Sequence, residues 1–291
     1  MDSKSHGTTV AAGGAMTSDV AARHRTNGHM KEMIEVMPDS FAEMLEIQVK
    51  ANPELFKQIK FPPWLYEDVC QRKDQSALTA NEQQRFICAF ETLVANGTIG
   101  KLADIHADMI HQQHGTARFF PWHRVFLRQL ELALHTVHPD VCIPYWDWTK
   151  KGEQVFPSWL AGYTPTVKTP TRTIVVTRAP GTSSALGVTA ANVPAILGDT
   201  TFNTFWPQME GVHGSVHVWV GGTMSFISTA SADPIFWLHH ANMDRLWWEW
   251  YNSAAGSGKN PPISGAMAVL DPWPTTESDT RDPIAMGFEY I

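Results

Sequence analysis

Thiol chemistry is scarce in this chain, whose only cysteines are Cys70, Cys88 and Cys142. None belongs to a Cys-x-x-Cys pair, which argues against a thiolate zinc site. Three is an odd count and too few for a disulfide scaffold. Basic charge is also in short supply. Lys and Arg number 22 against 29 Asp and Glu, a net charge of -7, so no footprint for nucleic acid is expected. No apolar run reaches the length that spans a membrane. The N-terminus, Met1-Asp-Ser-Lys-Ser-His-Gly, lacks the apolar stretch of a secretory signal. A cytoplasmic location is therefore the default expectation, with secretion left open because a signal already removed would leave no trace. No internal repeat is visible.

What is present is a long chain of 291 residues, 43% hydrophobic, with 12 tryptophans and 13 histidines. Residues 1–18 are small and polar and read as disordered. Residues 19–66 read as a helical extension, with Met30, Met33 and Met37 at helical spacing. That stripe suits docking on the rest of the chain or on a second copy. Residues 67–291 read as the main domain. Thr79 and Glu82 form a capping box ahead of the stripe Phe86, Ile87, Phe90, Leu93, Val94. Further helices are expected over 101–112, 123–137 after Pro121, and from Asp233-Pro234 to about Tyr251. Residues 150–205, rich in Thr, Pro and Gly, read as long loops with a strand over 173–177.

Six histidines fall into two spaced triplets, His106, His114, His123 and His213, His217, His240. His213 and His217 are four apart and share a helix face. Gly214 follows His213, so the His-Glu-x-x-His pattern of a zinc protease is absent. His106 is preferred to His111, which projects from a different face. His6, His24, His29, His111, His135, His138 and His239 are left at the surface or around the site. A loop ligand and helix ligands converge only if helices pack side by side, so the predicted fold is mainly α, a four-helix-bundle core with long loops and a few short strands. A di-iron bundle needs several carboxylates. All-imidazole triplets suit copper, and zinc remains open on donor type alone. Between the adjacent His239 and His240, helical pattern does not choose.

The chain resembles the tyrosinase family of dicopper proteins. The resemblance rests on His114…Phe-Pro-Trp-His123-Arg124, Pro144-Tyr-Trp-Asp-Trp148, His213-x-x-x-His217-x-Trp-Val-Gly-Gly222 and Asp233-Pro-x-Phe-Trp-Leu-His-His240-x-x-x-Asp244-Arg245. It implies two copper ions, one on His106, His114 and His123, the other on His213, His217 and His240, with His239 in the site wall. It also implies O2 bound as a side-on peroxide, and oxidation of phenolic small molecules to o-quinones. Hemocyanins share this core, so an O2-binding protein is the first alternative reading; a zinc hydrolase is the second. Arg124, Asp147, Asp244 and Arg245 are candidates to orient the ligands. They are equally suited to pinning helices.

Two departures shape the expected activity. Monophenol-hydroxylating relatives often carry Asn after the first ligand of the second copper, where it helps orient a phenol-deprotonating water. Here that residue is Gly214, and the acidic partner of the water is similar to Glu210. A phenol with a pKa of about 10 must lose its proton first, so diphenol or o-aminophenol oxidation is expected to exceed monophenol hydroxylation. Gln112 stands where some relatives carry a Cys crosslinked to the second ligand, so His114 is expected to be unmodified. Phe226, Ile227 and Ser228 are the gate candidates over the second copper. The chain is expected to close with the catalytic domain, leaving the site open.

Overall fold

A computed structural model describes residues 69–291, which lie in one compact unit, Asp68–Ile291. The expectations for residues 1–18 and 19–66, including the methionine stripe and self-association through it, fall outside the described residues.

The mainly α architecture holds. Helices α1 (Ala80–Ala95), α2 (Thr98–Ala107) and α3 (Phe119–Val137) are followed by the short α4 (Ser158–Ala161). After the hairpin come α5 (Ser183–Ala190), α6 (Val193–Ile196), α7 (Phe202–Val220), α8 (Ile227–Ala230) and α9 (Pro234–Asn252). The strands are brief. Strand β1 (Cys70–Arg72) pairs in parallel with β4 (Phe288–Tyr290), and β2 (Thr166–Lys168) pairs antiparallel with β3 (Thr173–Val175). Helix α3 packs on α1, α7 and α9, α7 packs on α9, and α8 packs on α2. These contacts bring every histidine-bearing helix to one centre.

Local signals account for the ends. The Thr79–Glu82 capping box is formed in both directions. Asp233 accepts from the Ile235 amide and Pro234 occupies the first turn of α9, where its missing N–H costs nothing. Helix α3 begins at Phe119 rather than at 123, because Pro121 falls in the first turn, where proline is tolerated. The helix expected over 101–112 stops at Ala107. Asp108 then caps a separate 3-10 turn at Met109–His111, and Gln112 takes a left-handed conformation with φ 51°. Residues 150–205 are not only loops and strands. Thr182 caps α5, and short α4 and α6 flank it. These segments carry no strong apolar stripe, so periodicity passes over them.

Two of the three cysteines are joined. Cys70 and Cys142 form a disulfide with Cα atoms 5.7 Å apart and a sequence separation of 72, while Cys88 is free and exposed. The pair joins β1 to the segment after α3. Closing a loop of that length stabilises by about 4 kcal/mol in the chain-entropy description. Its partners meet only through tertiary packing, which sequence spacing does not reveal.

Candidate metal centre

The two triplets assemble as two adjacent clusters. One donor atom from each of His106, His114 and His123 lies within 4.8 Å of the others, and the same holds for His213, His217 and His240. The rings of His123 and His240 stack 4.4 Å apart, so the clusters share one cavity wall. His106, His123, His213 and His240 are buried. His114 and His217 are half-buried.

Backbone carbonyls orient three rings. Nδ1 of His106 lies 3.0 Å from the Ile227 oxygen, that of His123 is 2.8 Å from Phe119, and that of His217 is 2.8 Å from Met224. A carbonyl only accepts, so each ring donates its Nδ1–H and presents a bare Nε2. Nε2 of His106 and of His123 are buried without a partner. In the second cluster, Nε2 of His240 lies 3.0 Å from that of His213 and 3.3 Å from that of His217. Three nitrogens bound to one metal at about 2.0–2.1 Å are separated by roughly 3.3–3.5 Å. The donor set and its spacing fit a metal ion. Burial holds all six imidazoles below their ordinary pKa, with His114 and His217 at about 4. Neighbouring imidazoles add to this in every case but His217. At neutral pH all six are uncharged, the state a metal requires of imidazole.

Trp148 separates His239 from His240. Its indole N–H donates to Nδ1 of His239 at 3.0 Å, which places the His239 proton on Nε2 and leaves the ring no bare nitrogen to offer a metal. His111 is turned elsewhere; it stacks on Trp122, and its Nδ1 meets Asp271 at 2.6 Å.

The four charged candidates meet one another rather than ligand rings. Arg124 Nε donates to Asp244 at 2.6 Å in the core, and Arg245 reaches Asp147 at 3.1 Å nearer the surface. Glu210 is half-buried and accepts the Gly115 amide at 2.8 Å, beside His114. Burial raises its pKa, and that amide opposes the rise. A Cβ added at Gly214 would meet nothing within 4 Å. Phe226, Ile227 and Ser228 are exposed on α8 and the residue before it. Sequence reasoning missed Gln113. It is fully buried and donates to the His106 and Asp108 carbonyls, bracing the turn between two histidines. A buried glutamine in a loop carries no periodic signal.

The family model for the common central domain of tyrosinase matches residues 96–190 and 161–253. The tyrosinase of Streptomyces glaucescens is 32% identical over 267 residues, covering 74% of this chain and 96% of that one. A functional unit of octopus hemocyanin is similar with a TM-score of 0.61 and 26% identity, covering 76% of this chain and 67% of that one. Latent apple tyrosinase shares the fold with a TM-score of 0.60 and 17% identity, over 77% of this chain and 63% of its own length.

Proposed function

The chain belongs to the tyrosinase family, and on that premise we propose that it uses O2 at two copper ions to oxidise o-diphenols to o-quinones. His106, His114 and His123 hold one ion, and His213, His217 and His240 the other. The enzyme is of the tyrosinase polyphenol oxidase type; the diphenol preference is the reading added here. The observation that carries it is the pair of neutral, partly orphaned imidazole triplets with Nε2 atoms converging at metal-sharing distances. Copper, when bound, supplies the redox chemistry and the O2 chemistry. The protein supplies uncharged donors and rings locked by carbonyls. Exposed Phe226, Ile227 and Ser228 act as the gate.

Glu210 and the residue after His213 decide how well a phenol is deprotonated. With Gly214 there is no side-chain amide to hold a water beside Glu210, so monophenols react more slowly than catechols. A steady-state comparison of a monophenol, a catechol and an o-aminophenol on copper-loaded protein tests this. Gly214→Asn enters open space and is expected to raise the monophenol-to-catechol ratio about tenfold, a modest share of what general-base catalysis contributes. Equal wild-type rates on monophenol and catechol, without a lag, would defeat the proposal.

Glu210 has two separable tasks. Glu210→Gln keeps an acceptor for the Gly115 amide but removes the base; Glu210→Ala removes both. Both variants are expected to lose monophenol activity, and only Glu210→Ala to lose copper on dialysis against a chelator. Equal copper retention in the two variants would show that the Gly115 bond does not hold the His114 loop.

The Cys70–Cys142 disulfide supports residence where thiols are oxidised, in place of the cytoplasm expected from the N-terminus. Among the described residues no helix is long and apolar enough to cross a membrane.

A further inference from the structure

The β2–β3 hairpin lies outside the histidine clusters, yet its tip is wired to one of them. Val167 and Ile174 bury its inner face. At Gly100 on α2 a Cβ would sit 2.0 Å from the Lys168 carbonyl oxygen, so hairpin and helix backbones abut there. The turn is tight. Thr169 Oγ1 accepts from the Thr171 and Arg172 amides at 3.1 and 2.9 Å, and the Thr169 amide donates to the Arg172 carbonyl at 2.8 Å.

From this anchored turn Arg172 forks in two directions. Nη1 lies 3.3 Å from Asp104 Oδ1 on α2, and Nη2 donates to the Ser228 carbonyl at 2.5 Å on α8. Thr171 Oγ1 also donates to Asp104. Asp104 lies two residues before His106. Ser228 directly follows Ile227, whose carbonyl receives the His106 Nδ1–H. Helix α8 is four residues long, and Phe226, Ile227 and Ser228 at its start are exposed, so apolar packing holds it weakly. A further side-chain tie at this turn runs from Thr229 Oγ1 to the Thr223 and Phe226 carbonyls.

We propose that Arg172 is a positioning residue for the first metal ligand: by bridging Asp104 and the Ser228 carbonyl it holds the Ile227 carbonyl that locks the His106 ring. This rests on the reading of His106 as a copper ligand. Neither end of the Arg172–Asp104 pair is fully buried, so the pair contributes little to global stability. Its effect is local, on the partner that orients a ligand, where losses of about 10–100-fold in metal affinity are typical.

The test is copper retention of the full-length copper-loaded protein against a graded Cu(I) chelator, with melting temperature measured alongside. Arg172→Ala is expected to release one of two equivalents at roughly 10–100-fold lower chelator, with the second equivalent and the apo-protein melting temperature unchanged. Asp104→Asn keeps the side-chain shape while weakening the bridge and is expected to shift the same equivalent less. His106→Ala serves as the reference. If it retains both equivalents, the ligand reading fails. If it loses one while Arg172→Ala and Asp104→Asn follow the wild-type curve, the positioning role alone is overturned. Equal weakening of both equivalents would also overturn it.

Discussion

His240→Ala is expected to leave one copper per chain and to lower catechol turnover by more than about 1,000-fold, since outer partners of a ligand alone are worth about 10–100-fold. His240 is the hub of the second cluster. Its Nε2 faces both His213 and His217, and its ring packs on Phe236 at 4.0 Å and on His123 at 4.4 Å. Removing it leaves two imidazoles, His213 buried and His217 half-buried, to hold an ion alone. Chemistry that needs both ions then stops, whatever remains on His106, His114 and His123. His239→Gln is the contrasting variant. Trp148 occupies Nδ1 of His239 and so holds its proton on Nε2, so copper should stay at two equivalents. Metal analysis after gel filtration, with catechol turnover, reads both variants. A His240→Ala protein that keeps two coppers and its turnover would remove His240 from the site, and loss of one copper in His239→Gln would move the ligand to His239.

The second large effect concerns stability. Asp244→Ala should destabilise the described unit by about 3–5 kcal/mol, because it strands buried positive charge. Asp244 is 3% exposed and accepts from Arg124 Nε at 2.6 Å, from the Tyr290 hydroxyl at 2.6 Å and from Arg72 at 3.3 Å. Arg72 is fully buried and keeps a bidentate pair with Glu131 at 2.7 and 2.8 Å, whereas Arg124 keeps only neutral partners, the Thr280 carbonyl at 2.7 Å, the backbone carbonyl of residue 244 at 3.5 Å and an aromatic face of Trp247. The uncompensated charge therefore falls mainly on Arg124, in the middle of α3. Asp147→Ala breaks the Arg245 pair in a half-buried setting and should cost at most about 1 kcal/mol. Urea unfolding of the two variants should differ by roughly 1–2 M in midpoint. Similar midpoints would show that the buried network is not what ties α3 to α9.

Local patterns carried much of this far. The capping box at Thr79, the Asp233-Pro234 start and the apolar stripe of α1 are written in neighbouring residues, so they are legible in one dimension. So is the pairing of His213 with His217, which depends only on helical pitch. Helices α5 and α6 escaped because they lack a strong apolar stripe, and the Cys70–Cys142 bond escaped because 72 residues separate its partners.

The donor chemistry follows from residue identity and spacing: six imidazoles in two triplets, without the carboxylates of a di-iron bundle and with glycine after His213. Tertiary structure alone decided which nitrogen each ring offers. That choice depends on what meets the opposite nitrogen, and those partners are distant in the chain: Ile227 for His106 across 121 residues, Trp148 for His239 across 91. A tautomer is set by one hydrogen bond, and only folding brings its two ends together.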